Sequence, residues 1–266
     1  MAAQKSQSPH FAAPTPGRPF IVAGRAANIK MWQRGNGKWR RIGPLGVGAL
    51  SRERRGDLDL MRIGLFGGSF DPVHRGHLLL ADCCWRQARL DRVEFMPTAQ
   101  QPLKPRGPVA SEADRAAMLR LAIAERPEFA LSLVEIERGG VSYTVDTLRL
   151  LRSERPDAEF FFLMGADSLN DFPAWREPGA ICELATPLVV RRAGTAEPNF
   201  EALAPLVSAA RLAEIRQLEV EMPATPISSS EIRRLVAEGS EWQSLVPPGV
   251  AEYIEREKLY LPRFVG

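Results

Sequence analysis

From Met61 onward the chain alternates short apolar runs with longer amphipathic stretches, and this alternation constrains the fold more than any single residue does. Strands are predicted near residues 62–66, 93–96, 130–136, 159–164, 187–191 and 217–221. Helical patterns fill the gaps: His77 to Leu90 (HLLLADCCWRQARL), Ser111 to Arg126 (SEADRAAMLRLAIAER) and Tyr143 to Glu154. The second of these has Ser111 as N-cap and Asp114 three residues on, a capping-box-like arrangement. Strands that alternate with helices argue for an α/β fold, a doubly wound parallel sheet covered on both faces, and such sheets bind ligands at the carboxyl ends of their strands. The Pro-Gly breaks at 105–108 and 194–198 read as loops within a single domain, and no internal repeat is visible.

Composition excludes several classes. With 45% hydrophobic and 25% charged residues, the 266-residue chain suits a globular protein with one sizeable core or two small ones. No run approaches the roughly 18 consecutive apolar residues of a membrane span. Cys83, Cys84 and Cys182 have neither disulfide-framework nor metal-ligand spacing, which points to a reducing, cytoplasmic setting. Adjacent Cys83 and Cys84 read as small packing residues of a helix rather than as a reactive pair.

Charge is unevenly placed: residues 1–60 carry 11 Lys/Arg against 3 Asp/Glu, the remainder 24 against 29. The first sixty residues are rich in Gly, Pro, Arg and Ala, have no acidic residue before Glu53, and show no sustained period, so a basic disordered extension is predicted there, with the folded domain over 61–266. Three readings compete for it: an arm for nucleic acid or another anionic partner, a targeting peptide, or sequence upstream of a true start at Met61. The last is favoured, because MRIGLFGG opens directly into a strand.

Two of the chain's three histidines fall in GLFGGSFDPVHRGH, residues 64–77. A strand ending at Gly67-Gly68 lets backbone N–H groups approach a bulky anion, and the following helix turns its positive end to the same place. His74 and His77, three apart at a helix start, would project together toward a phosphate. The bland alternative is that both only cap the turn and satisfy backbone carbonyls. There is no GxGxxG after this strand and no GxxxxGK[ST] anywhere. A second stretch, ISSSEIRR (227–234), sets serines at another helix N-terminus, with Arg233 one turn after Ser230, so that its guanidinium can fork onto a phosphate the serine also contacts. Read alone, it is an ordinary Ser-capped helix.

GGSFDPVHRGH resembles the HxGH signature of the nucleotidyltransferase superfamily, and ISSSEIRR its distal ISSxxxR-type motif. SYTVDTL (142–148) and GADSLNDFPAW (165–175) are similar to segments that mark the bacterial nicotinate-nucleotide adenylyltransferases. The resemblance runs from residue 61 to about 261 and leaves out the first sixty. It implies a Rossmann-like fold and a magnesium-assisted attack by nicotinate mononucleotide on the α-phosphorus of ATP, giving nicotinate adenine dinucleotide and pyrophosphate in NAD biosynthesis. Magnesium would come in with ATP, and no dedicated metal ligands are expected.

Motif by motif, the resemblance makes His74, His77 and Arg233 catalytic. Gly67, Gly68, Ser69, Phe70, Ser229 and Ser230 join them around ATP. The nicotinate nucleotide would meet Ser69, Tyr143, Thr144, Asp167 and Trp175, with Trp175 stacking on the pyridine ring. Lys104 is a candidate there, although MPTAQQPLKP lacks the histidine that many relatives carry in this loop. Each of these also has a plain structural reading: Trp175 as a core aromatic, Thr144 and Asp167 as helix caps. Neither a membrane nor a nucleic acid is expected as partner, and homo-oligomerisation stays open. The alternatives are activity on nicotinamide mononucleotide, or a non-catalytic nucleotide- or nucleic-acid-binding protein.

Overall fold

The computed structural model describes residues 60–102 and 107–262, and, before them, the backbone of three short strands. Contacts divide the chain into two units, Met1–Asp57 and Leu58–Gly266.

In the first unit β1 (Phe20–Val22), β2 (Lys30–Gly35) and β3 (Lys38–Ile42) pair antiparallel in that order. The register of the second pair runs from Met31 opposite Ile42 to Gly35 opposite Lys38. Otherwise the predicted disorder falls on residues outside the described ones.

The second unit runs β4 (Met61–Gly68), α1 (Arg75–Gln87), β5 (Arg92–Pro97), α2 (Glu112–Ile123), β6 (Phe129–Leu131), α3 (Val134–Arg138) and α4 (Thr144–Glu154). It continues through β7 (Ala158–Gly165), α5 (Ala166–Asp171), a 3-10 turn at Phe172–Ala174, α6 (Pro178–Leu184) and β8 (Thr186–Arg192). It closes with α7 (Ala209–Gln217), β9 (Val220–Met222), α8 (Ser229–Glu238) and α9 (Pro248–Arg256). The strands form one six-stranded sheet in the order β6-β5-β4-β7-β8-β9, every neighbouring pair parallel. Counted from β4 this is the Rossmann order 3-2-1-4-5-6. The winding reverses between β4 and β7, so a crevice opens beyond Gly68 and Gly165.

Strand β7 shows why both faces are covered. Phe160, Phe162 and Met164 pack on one side with Leu148, Leu151 and Ile181 of α4 and α6. Phe161 and Leu163 point the other way, into a cluster with Leu80 and Cys84 of α1, Ile232 of α8 and Val250 and Ile254 of α9. Burying each such phenylalanine contributes about 2 kcal/mol. At Gly64 a Cβ would sit 2.6 Å from Leu90 Cδ1 and 3.0 Å from Leu163 Cδ1, so glycine is what lets the α1–β5 connection close onto the sheet.

Most predicted elements are present, with two corrections. The strand expected over 130–136 ends at Leu131, and Val134–Arg138 is a helical turn that stops at Gly139 and Gly140, both at positive φ. Val134 and Ile136 alternate with glutamates, and over five residues that pattern fits either period. The strand expected at 217–221 begins only at Val220, because Gln217 still belongs to α7. The Ser111 cap is as expected: Asp114 N–H donates to its Oγ at 3.1 Å.

Candidate active site

Beyond Gly68 the chain leaves the sheet in a tight loop and enters α1 at His74. Phe70 sits at φ +48°, a left-handed conformation that costs a bulky residue about 1–2 kcal/mol. Packing holds it there: its buried ring meets Phe66 edge-on at 5.3 Å and His77 at 5.0 Å.

The two histidines cap the helix reciprocally. His77 N–H donates to His74 Nδ1 and His74 N–H donates to His77 Nδ1, each at 3.3 Å, and the rings stack at 3.7 Å. A nitrogen that accepts from a backbone N–H carries no proton, so both neutral imidazoles hold theirs on Nε2. Burial, reinforced by the Arg192 charge, pushes His74 down to about 4. Burial, then His74 and Arg192, holds His77 well below the usual imidazole range. At neutral pH the pair is therefore two uncharged Nε2–H donors. Gly76 is required between them, since a Cβ there would press His74 Nδ1 at 3.0 Å and Cε1 at 3.1 Å.

Both histidines line a first cavity of about 350 Å³ with Ser69, Arg192, Arg233 and the serines at the start of α8. Ser228 is the true N-cap of α8, accepting from Glu231 N–H at 3.2 Å. Ser229 Oγ donates to the Pro72 carbonyl at 2.9 Å, which ties α8 to the loop of the histidines. Arg233 donates to the Asp71 carbonyl at 2.6 Å and to Ser230 Oγ at 3.2 Å. Two guanidinium groups, two imidazole donors and several hydroxyls thus meet in one polar hollow, a composition suited to a polyphosphate.

A second cavity, of about 640 Å³, adjoins the first. It is lined by Gly67 and Gly68 from β4, Tyr143, Thr144 and Thr147 from the start of α4, and Phe162 and Trp175. Trp175 lies 5.3 Å from Phe172 and edge-on to Phe162 at 5.7 Å. Its Nε1 is buried without an acceptor among the described residues, and the buried Glu135 Oε2 has no hydrogen-bond partner among them, although Oε1 of the same carboxyl accepts from Thr147 Oγ1 at 2.8 Å. Burial raises the Glu135 pKa. Thr144, the first residue of α4, lines the same space, and the first N–H group of a helix has no intrahelical acceptor. An apolar cavity with a few unpartnered polar atoms and an aromatic wall suits a flat heterocycle with a polar substituent.

The structure brings together most of the residues singled out in the sequence, with some redistribution. Gly67 and Gly68, expected around ATP, line the second cavity, while Ser69 lines the first. Phe70 lines neither and props the His77 ring from beneath. Asp167 also lines neither: its side chain is 88% exposed and lies 3.9 Å from Arg192. Lys104 is outside the described residues. Sequence reasoning missed Arg192, whose position at the carboxyl end of β8 was its only signal. It also missed Glu135, and Gln101, which alone among the described residues lines both cavities.

The first cavity has little to offer a metal ion. Its carboxylate, Asp71, already accepts from Val109 N–H at 2.7 Å, Ala110 N–H at 3.1 Å and Tyr260 Oη at 2.8 Å. Among the described residues no group of three or more His, Cys, Asp and Glu could hold a metal. A divalent ion here fits as a partner of phosphate oxygens and water rather than of protein ligands.

Residues 65–235 match the cytidylyltransferase-like family. The chain is 46% identical over 201 residues to a probable nicotinate-nucleotide adenylyltransferase of Thermomicrobium roseum, covering 76% of this chain and 92% of the relative. It is 44% identical over 200 residues to one of Thermus thermophilus, covering 75% of this chain and all of the relative. Among solved structures, nicotinic acid mononucleotide adenylyltransferase of Plasmodium falciparum, complexed with NaAD, shares the fold with a TM-score of 0.57 at 17% identity, over 75% of this chain and 97% of that one.

Proposed function

The chain belongs to the nicotinate-nucleotide adenylyltransferases of the cytidylyltransferase-like family, and on that premise we propose that it joins the AMP part of ATP to nicotinate mononucleotide in NAD biosynthesis. The observation that carries this reading is the pair of adjoining cavities at the switch point of the sheet, one built for a polyphosphate and one for a flat ring. No nucleophilic side chain is needed. An oxygen of the acceptor's 5′-phosphate attacks the α-phosphorus, a new P–O bond forms, and the bond to the β-phosphate oxygen breaks to release pyrophosphate.

Catalysis in such a transfer is alignment and charge stabilisation. In this reading Nε2–H of His77 donates to the reacting phosphoryl group, and His74 supports it from the stacked position. Arg233, Arg192, Ser229 and Ser230 hold the triphosphate. Magnesium arrives on ATP and neutralises part of the polyphosphate charge. At the other end Trp175 stacks on the pyridine ring, and Thr144 N–H and the Tyr143 hydroxyl receive its carboxylate, Tyr143 N–H being taken by the Val141 carbonyl. Gly67 leaves room for the ring, Asp167 organises Arg192, and Lys104 adds charge to the acceptor side.

We place the protein in the cytoplasm, where its three free, buried cysteines suit a reducing compartment. No helix among the described residues is long and apolar enough to cross a membrane.

Turnover of the amide nucleotide is a second reading, favoured by one observation. Glu135 Oε2, buried and unpartnered in the second cavity, is an acceptor that an amide N–H₂ would satisfy and a carboxylate would not. The test is pyrophosphate release by the full chain with ATP and magnesium, offering nicotinate and nicotinamide mononucleotides in parallel. Release with the acid nucleotide supports the proposal, equal release with the amide establishes the second reading, and no release with either overturns both.

A further inference from the structure

Near its C-terminal end the chain reaches back to the phosphate side of the site. Tyr260 Oη donates to Asp71 Oδ1 at 2.8 Å, across 189 positions of sequence. Asp71 is 3% exposed and lies three residues before His74. Its other carboxylate contacts are Val109 N–H on Oδ2 and Ala110 N–H on Oδ1, from the segment that leads into α2. The carbonyl of Asp71 holds the Arg233 guanidinium at 2.6 Å, while its Oδ2 stands off from the same nitrogen at 3.7 Å. Arg115, buried in α2, donates to the Ser69 carbonyl at 2.9 Å and completes the same knot. A second tie, Tyr253 Oη to Asp114 Oδ1 at 2.9 Å, fastens α9 to the start of α2.

We propose that Tyr260 is a positioning residue for Arg233, acting through Asp71 to keep the guanidinium available to the triphosphate. The inference rests on the adenylyltransferase reading of the first cavity. A buried carboxylate needs its lone pairs filled, and Asp71 fills them with two backbone N–H groups and one phenol. With those donors in place, Arg233 engages the carbonyl and Ser230 and stays 3.7 Å from the carboxylate. Without the phenol, Arg233, 3.7 Å from Oδ2, is a charged donor that can close on the carboxylate. A direct ion pair would then draw the guanidinium away from the ligand, and ATP would lose one charge-assisted contact while the pyridine end lost nothing.

The experiment is a double-mutant cycle on the full chain, with Tyr260→Phe, Arg233→Ala and the pair. The readouts are equilibrium affinity for a non-hydrolysable ATP analogue and for nicotinate mononucleotide, with thermal unfolding in parallel. Tyr260→Phe should weaken the ATP analogue roughly three- to tenfold, the scale of one ordinary hydrogen bond's net contribution because the effect is indirect, and leave the mononucleotide within twofold. In the Arg233→Ala background the same substitution should have no further effect on the ATP analogue. Unchanged ATP affinity overturns the proposal. So does equal weakening of both ligands, or a loss that persists without Arg233, because these are what a purely structural tyrosine would give. The cycle reads binding alone, so absence of pyrophosphate release in the wild type would sink the assigned reaction and leave this result to be judged separately.

Discussion

Replacing His74 with asparagine exchanges a helix cap that titrates for one that does not. His74 Nδ1 accepts from His77 N–H, and an asparagine Oδ1 can reach a similar place and is among the strongest N-caps. In the wild type the folded-state pKa of His74 is about 4, against 6.5 for a free imidazole. The folded value lies below the unfolded one, so between these limits the unfolded chain binds more protons. Stability is therefore full above about pH 6.5 and is lost as pH falls toward 4. At about 1.4 kcal/mol per pH unit across that window, the loss amounts to about 2 kcal/mol at pH 5 and about 3 kcal/mol at pH 4. The ring is buried, so solvent screening does not reduce this. Titration of the carboxylates, common to both proteins, cancels in the comparison. Urea unfolding of wild type and His74→Asn at pH 7, 6 and 5 should show the wild type losing about 2 kcal/mol relative to the variant between the first and last. Parallel curves across the three pH values would refute the assignment of His74 as a buried, neutral cap.

Three further substitutions test the rest of the site. His77→Asn keeps an acceptor for His74 N–H and removes the Nε2 donor, so kcat should fall roughly 10²- to 10³-fold with little change in Tm; near-normal turnover in a pyrophosphate-release assay would remove His77 from the chemistry. Trp175→Ala should raise KM for the pyridine nucleotide roughly tenfold while KM for ATP stays within twofold, and equal changes in both would identify a packing role. Gly76→Ala forces the His74 ring to move, because its new methyl would stand 3.0 Å from Nδ1, so both the helix cap and ATP affinity should weaken together. Calorimetry and nucleotide titration on that variant should change in step, and a change in one alone would separate the two functions of the pair.

The histidines show how far sequence reasoning carries and where it stops. Helix caps and phosphate donors look like rival readings, yet an imidazole has two nitrogens and the structure leaves room for both. Nδ1 caps the helix, accepting from backbone N–H groups rather than donating to carbonyls, and Nε2 is left for a ligand. The sheet is legible because buried parallel strands such as AEFFFLMG leave continuous apolar runs. Val134–Arg138 is not, because five residues are too few to separate a period of two from one of 3.6. Beyond the place of Arg192 at the end of β8, nothing local marks Arg192, Asp71 or Tyr260 for these roles: their significance comes from contacts that the closed topology creates. Gly67 and Gly68 read in sequence as phosphate-loop glycines, but they lie along the ring-sized cavity, with a hypothetical Gly67 Cβ meeting nothing nearer than Phe162 at 4.0 Å.

The two cavities draw on different parts of the chain and, among the described residues, share Gln101 alone. The polar one is assembled from α1, the end of β8 and the start of α8, whereas the ring-sized one comes from the ends of β4 and β5, the entry to α4 and the turn after α5. The site is in this sense modular: the polar hollow and the ring-sized cavity, which the proposed reading gives to the triphosphate and to its acceptor, can be altered separately. On the proposed reading, changes at Glu135 and at residues 142–147 and 171–176, which line the ring-sized cavity and not the polar one, would leave the histidine pair and its supports untouched.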